Sequence, residues 1–431
     1  MKISKLHIDQ FRHLENLDFD FTYPEDFHIE EKRGKPLDKI CFIGQSATGK
    51  TGLLELIKNQ NFELQNIIFN SNGFSRTGDI EKLFGEISFE FENKNILLSS
   101  SSLKVNSIEL VEFNGSGEFD HLLTEKEKKS VYYFKANLIS DKSIDVFTKN
   151  PIDLFEKYPR LNDNLTLNNF YPNDKIIIFG DDINIDLWLF LLNDILVYRK
   201  KFNQKMSELI HKGLLGNPKK LSLEFEKWQK ENPNKLELFA EKFNPLLEKL
   251  NLEVDVIDTE YSIPIRNKIN DLIVPIQNTS TGTKGLLLSF LPLFKLDTKD
   301  SIILIDEPER SLYPDMQMDL MEYYQNLAPE AQYIIATHSP FIAASFEPEE
   351  RFILYFDKEG KVAVRRGSSP IGDDPNDLLK NDFGVNYYNK FGKEAYKKYL
   401  KLKEDLSKEK NPTKKKELLL ETVKLGDTYN F

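Results

Sequence analysis

The chain has 431 residues, 40% of them hydrophobic and 12% aromatic. That is enough to bury a sizeable core and excludes a mainly disordered protein. Lysine plus arginine number 58 and aspartate plus glutamate 69, a net charge of −11, which argues against a wholly basic coat for nucleic acid; the single cysteine, Cys41, excludes an internal disulfide framework or a cysteine-based zinc site within one chain.

No apolar run reaches the roughly 18 residues of a membrane helix. The opening "MKISKLHIDQF" alternates and carries charge, unlike a secretory leader. The expectation is a protein of the reducing cytoplasm with no membrane partner. In chain order, "KISKLHIDQF" and "LENLDFDF" alternate apolar and polar residues and predict half-buried strands. "KICFIG" is continuously apolar, as in a strand buried on both faces. A polar, hairpin-like segment from Pro24 to Pro36 lies between. After Thr51, "GLLELIKN" has helical spacing. Residues 86–113 hold "GEISFEFE", "NILLSS" and "SIELVEF", which predict an antiparallel meander. "VYYFKANL" (131–138) and "KIIIFG" (175–180) follow as strands, and the Asp-, Asn- and Pro-rich region between them has no clear pattern.

From Asp181 to about Leu252 the periodicity turns helical, broken at Gly216, Asn217 and Pro218, and predicts an inserted pair of helical stretches. Strand signals resume at "LEVDVIDTEYSIPIRN" and "DLIVPIQN". The expected organisation is an N-terminal lobe over 1–180, a helical insertion over 181–252, a C-terminal lobe over 253–370 and a lysine-rich helical tail over 371–431. Between Lys390 and Lys416 eleven lysines stand against four acids, either a solvated helix face or a local basic footprint.

Gly44-Gln45-Ser46-Ala47-Thr48-Gly49-Lys50-Thr51 fits G-x-x-x-x-G-K-[ST], with a buried strand before it and a helix after. The two glycines let backbone N–H groups converge on phosphates, and the helix N-terminus adds its unpaired donors. Lys50 is placed to neutralise the β- and γ-phosphates, and the Thr51 hydroxyl to bind Mg²⁺. Far downstream, "SIILIDE" is an apolar strand ending in Asp306 and Glu307. Asp306 is expected to support the metal and Glu307 to polarise the attacking water. "AQYIIATHSP" is another buried strand, ending at His338. Parallel strands bring such ends to one crevice, so His338 is expected at the γ-phosphate. "STGTKG" precedes a helix, and Ser280, Gly282 and the helix N-terminus make a second anion site.

Together these segments resemble the Walker A, signature, Walker B with D-loop ("ILIDEPERSLYP") and switch-histidine motifs of ABC-type ATPases, in that family's order. The nearest branch is the SMC/RecF/OLD-like group of bacterial "AAA family ATPases", and Phe11-Arg12 is similar to its N-terminal aromatic–Arg dipeptide. The resemblance implies an α/β ABC-type P-loop ATPase head with a mixed central sheet, an antiparallel β subdomain and a helical insertion. It also implies a homodimer or higher homo-oligomer sandwiching ATP. Residues 44–51 would bind ATP and Mg²⁺, with Asp306 on the metal. Glu307, His338 and Lys50 would be catalytic. Ser280 and Gly282 would reach the γ-phosphate from the second copy, and Ser311 to Tyr313 would line the seam.

There are departures. Ser46 and Ala47 fill places where the family often has Asn and Gly, Tyr313 stands where histidine is frequent, and no glutamine lid is recognisable. Two helices of about 30 residues reach only ~45 Å, far short of an SMC arm. After His338, "RFILYFDKEGKVAVRR" reads as a hairpin closing the sheet, and no nuclease motif follows. The expected function is an ATP-hydrolysing sensor subunit similar to Septu- and PARIS-type anti-phage ATPases, acting through a separate nuclease or toxin. The alternatives are a RecF-like repair ATPase that binds nucleic acid, a transporter ATPase subunit, and an ATP-binding scaffold without turnover.

Overall fold

The computed structural model describes residues 1–69, 85–99, 102–111, 129–158, 176–182, 185–258, 260–385 and 390–429. The chain divides into two compact units, Met1–Asp373 and Asp374–Phe431.

The first unit begins with β1 (Lys2–Phe11) and β2 (Leu14–Asp20), then β3 (Lys39–Gly44) and α1 (Lys50–Phe69). The predicted meander is β4 (Gly85–Phe91), β5 (Lys94–Ser99), β6 (Ser102–Val105) and β7 (Ile108–Val111). It has four strands where three were expected, because "SLKV" is too short to show a period; residues 112 and 113 of the expected third segment lie outside the described residues. Next come β8 (Val131–Phe134), α2 (Asp141–Thr148), α3 (Pro151–Lys157) and β9 (Ile176–Phe179). α2 is started by a capping box between Ser140 and Ser143, a signal the Asp-rich sequence around it conceals.

The helical stretch is α4 (Ile185–His211), α5 (Pro218–Glu231) and α6 (Lys235–Glu248). The second expected stretch is thus two helices. Pro233 breaks it, Asn232 closes α5 and Asn234 caps α6 by accepting from Leu236 N. The first half of α4 and most of the apolar face of α6 are buried, whereas α5 has no buried residue. Then follow β10 (Leu252–Val254), β11 (Ile265–Asn267), β12 (Ile273–Val274), α7 (Thr281–Lys295), β13 (Ile302–Asp306), α8 (Pro314–Leu327), β14 (Gln332–Ala336), α9 (Pro340–Ala343), β15 (Arg351–Phe356) and β16 (Val362–Arg366). The second unit holds α10 (Pro375–Asn381) and the hairpin of α11 (Lys390–Lys408) and α12 (Pro412–Tyr429).

The central sheet has the order β16-β15-β3-β14-β13-β8-β9. All its pairings are parallel except β15 with β16. A six-stranded antiparallel sheet runs β2-β1-β4-β5-β6-β7, and β10-β11-β12 form a small third sheet. β13 is buried at every position, which is why its sequence is apolar without alternation. β1 is buried at intervals and joins the antiparallel sheet to one core. Aromatic rings fuse the two large sheets: Phe21 lies 5.0 Å from Phe352 and Phe19 5.8 Å from Phe42. The Gln332 side chain stitches the same junction. It is fully buried, donates to Ile3 O (2.9 Å) and Leu37 O (2.8 Å), and accepts from Ile3 N (2.7 Å). Parallel order in the central sheet carries the ends of β3, β14 and β13 to one edge, where the site residues lie.

Candidate functional site

The loop between β3 and α1 turns where the sequence requires it. A Cβ on Gly44 would lie 2.3 Å from Leu354 O, so no side chain fits there. Gly49 has φ +93°, and its Cβ would lie 2.9 Å from Leu14 Cδ2 and 3.2 Å from His13 Nε2. The β1–β2 turn therefore leans on the loop. Ala47 has φ +66°, the left-handed conformation that a glycine adopts without strain. Gln45, Ser46 and Ala47 are exposed, while Thr48 is buried and its hydroxyl donates to Gln45 O (2.8 Å). Lys50 Nζ donates to Gly44 O (2.8 Å) and Gln45 O (3.0 Å), and burial lowers its pKa to about 8.

β13 and β14 pair in parallel with Asp306 opposite Ala336, so their ends are side by side. The Thr51 hydroxyl donates to Asp306 Oδ2 at 2.9 Å across 255 residues of sequence. Burial pushes the Asp306 carboxyl up to about 6, with Glu307 adding to the rise. A buried carboxylate beside a hydroxyl is a fit for a hard cation, and among the described residues no cluster of three His, Cys, Asp or Glu side chains exists to hold one by itself. Mg²⁺ of nucleotide sites is held in just this sparse way, with phosphate oxygens completing the shell. Thr51 and Asp306 are the residues that would hold it.

Glu307 has φ +49° and its N–H continues the ladder to Ala336 O (2.8 Å). His338 is exposed at the surface of this edge, and its pKa is lowered by partial desolvation of the ring and by the charge of Lys50. The structure thus brings Lys50, Thr51, Asp306, Glu307 and His338 to one edge. Ser280 and Gly282 make their contacts elsewhere. Ser280 caps α7, its hydroxyl accepting from Thr283 N (3.1 Å). Gly282 abuts the turn after β13, with its Cβ position 2.5 Å from Ser311 O. Ser280, Ser311 and Tyr313 are all exposed, so α7's start and this turn form one open surface.

Two more residues stand at this edge: Arg12, which the sequence marks as half of a dipeptide without giving it a contact, and Glu309, which escapes a reading by motif. Arg12 pairs with Glu55 (2.7 Å) and lies over the Phe11 ring, with Nη1 3.5 Å from the Cβ position of Gly52. Glu309 accepts from His338 N at 2.8 Å. The second contact depends on strand adjacency, for which spacing along the chain gives no signal.

The family profile described as "AAA ATPase domain" matches residues 1–343. Comparison with curated proteins found no match. Three solved structures are similar to the chain at low identity. An SMC head bound to the C-winged helix domain of ScpA is 13% identical, covers 85% of this chain and 98% of its own, and has a TM-score of 0.41. The SMC head domain from Thermotoga maritima is 12% identical, covers 86% and 100%, and has a TM-score of 0.40. The SMC head domain with an extended coiled coil bound to the C-terminal domain of ScpA, derived from Pyrococcus furiosus, is 14% identical, covers 85% and 96%, and has a TM-score of 0.36.

Proposed function

Because the chain belongs to the AAA ATPase domain family and is an ATPase, we propose that two copies close around ATP and that hydrolysis reopens them. In this reading residues 44–51 of one copy cradle the triphosphate, and Lys50 leaves its two loop carbonyls to neutralise the β- and γ-oxygens. Mg²⁺, when held by Thr51 and Asp306, neutralises phosphate charge. Glu307 accepts a proton from the attacking water, and His338 hydrogen-bonds the γ-phosphate. Ser280 and Gly282 of the second copy complete the cleft with N-terminal helix donors.

One observation carries this reading. Ser280, Ser311 and Tyr313 form an exposed surface in which the Gly282 backbone meets the Ser311 carbonyl. Phosphate-binding donors on such a surface suit a ligand presented by another molecule. The test is Glu307→Gln with Mg·ATP, followed by light scattering. The variant is expected to trap ATP and run as a dimer, and Ser280→Arg in the same background is expected to return it to monomer. A Glu307→Gln protein that stays monomeric at saturating ATP overturns the sandwich.

We place the protein in the cytoplasm, and no described helix is long and apolar enough to cross a membrane. We assign it the role of sensor in an anti-phage system, with a separate nuclease or toxin as effector; the reasoning is the resemblance of its motifs to Septu- and PARIS-type ATPases. The product of an adjacent nuclease or toxin gene is then expected to change activity with the ATP state of this chain, and an effector indifferent to Glu307→Gln removes that role.

A second reading, a RecF-like nucleic-acid ATPase, is favoured by α11. Lys393, Lys397 and Lys401 are exposed at four-residue steps, about 6 Å apart along the helix. That stripe suits a phosphodiester backbone. ATP-dependent binding to DNA that weakens steeply with salt, and is lost on Lys→Glu change at these three positions, supports it. Binding unaffected by those changes removes it.

A further inference from the structure

The turn after β13 folds back on the end of β14 through a closed ring of hydrogen bonds. Arg310 N donates to Glu307 O and Leu312 N to Glu309 O, so the chain reverses tightly. This aims the Glu309 side chain at the neighbouring strand end. Its Oε1 accepts the backbone N–H of His338 (2.8 Å). Ser339 N donates to Thr337 Oγ1 (2.9 Å), and Ser339 Oγ donates to Gln317 Oε1 (2.5 Å). Gln317 Nε2 donates to Leu312 O (2.7 Å), which closes the ring on the turn where it began.

Glu309 is a costly residue for simple glue. Its Oε2 is buried with no hydrogen-bond partner, a state that native interiors avoid without a reason. Burial raises its carboxyl pKa, with the charge of Glu307 adding to the rise, while the His338 N–H, its own N–H and the Thr337 side chain oppose it. Its charge is also felt by Lys50. The carboxylate therefore sits among Lys50, Glu307 and His338 while facing the backbone of the last.

We propose that Glu309 is a positioning residue that sets where the His338 imidazole stands relative to Glu307, and that it ties this placement to the 311–313 turn. It touches neither substrate nor metal in this role. It acts through the His338 backbone, and the proposal rests on the assignment of His338 to the γ-phosphate.

Steady-state ATPase kinetics of single and double variants test it. Glu309→Ala is expected to lower kcat by about 10- to 100-fold, the usual cost of a misplaced catalytic group, with KM changed by less than about 3-fold. Glu309→Gln keeps an acceptor at the same reach and is expected to hold kcat within about 3-fold of wild type. Glu309→Asp keeps the charge but falls short of His338 N, so it is expected to behave like Glu309→Ala; it carries the comparison should the alanine variant not fold. In a His338→Ala background, Glu309→Ala or Glu309→Asp is expected to cost less than about 3-fold more, because both changes remove one function. A normal loss on His338→Ala with a second, multiplying loss on changing Glu309 overturns the positioning role alone. Wild-type turnover by His338→Ala overturns the γ-phosphate assignment and this proposal with it.

Discussion

The Gly282 backbone touches the Ser311 carbonyl so closely that a Cβ at 282 would lie 2.5 Å from that oxygen. Two segments that the sequence separates by a helix and a strand are thereby one surface. Because both partners are main chain, neither yields by rotating a side chain. Gly282→Ala is therefore expected to push the start of α7 off the 311–313 turn. The fold should survive, with a loss on the order of 1–3 kcal/mol as for other overpacked sites. ATP-dependent pairing of Glu307→Gln should disappear. Sedimentation of the double variant with ATP checks this, and retained dimers would show that the contact is incidental.

Asp306 gives the pH dependence its sign. Its folded pKa, about 6, lies above the usual carboxylate range. An acid shifted this way stabilises the fold least when ionised. The penalty is absent below about pH 4, grows through the interval up to about 6, and is complete above it. In EDTA and without nucleotide, Asp306→Asn is expected to be more stable than wild type at pH 8 by on the order of 1–3 kcal/mol. The gap should close near pH 4 as the wild-type carboxyl protonates. Urea melts across that range measure it. Equal stability at pH 8 would mean that the carboxylate is better solvated than its burial implies. The same variant should lose Mg²⁺-dependent turnover, so stability and activity are expected to move in opposite directions.

Ala47 holds φ +66° at a place suited to glycine. Ala47→Gly should remove strain worth about 1–2 kcal/mol and lose part of it to the greater freedom of glycine in the unfolded chain. A net gain of about 0.5–1 kcal/mol in chemical denaturation, with KM for ATP unchanged, is the expected result. A destabilised variant would show that the Ala47 methyl makes a contact worth more than the strain.

Gln332 is a buried amide with three backbone partners. Replacing it with leucine of similar size strands Ile3 N, Ile3 O and Leu37 O inside the core. Each unpaired group costs about 1–3 kcal/mol, so Gln332→Leu should lose on the order of 3–9 kcal/mol and shift the urea midpoint sharply downward. A loss under about 1 kcal/mol would mean that water replaces the amide.

The parts of this molecule that sequence exposes are those in which chemistry and local geometry coincide. Gly44, Gly49, Lys50 and Thr51 fall within eight residues, between a continuous apolar strand and a helix of clear period. Asp306 and His338 stand out in the sequence because one ends, and the other closely follows, a short buried strand dominated by apolar residues. Glu309 does not, because its partner lies on another strand and only the parallel pairing of β13 with β14 brings them together. Ser311 was placed near the seam by resemblance, yet its closeness to Gly282 depends on packing between α7 and the turn. The two helices after Asn217 looked like one stretch because Asn232 and Asn234 each act as a cap, while the pattern of apolar residues runs across them. Ser140 starts α2 with a capping box that a search for apolar periodicity passes over.

The strand order has a consequence for how this protein is made. Lys39 of β3 pairs with Tyr333 of β14, and Cys41 with Arg351 of β15. At about 5–20 residues per second, translation delivers those two flanking strands roughly 15–60 s after the phosphate loop has left the ribosome. Throughout that interval an apolar strand waits without either of its sheet partners, a natural client for chaperones. A chain released early would carry the whole G-x-x-x-x-G-K-T loop but lack β15, whose Leu354 packs against Gly44, and β13, whose Asp306 pairs with Thr51, so prematurely terminated products should not bind ATP.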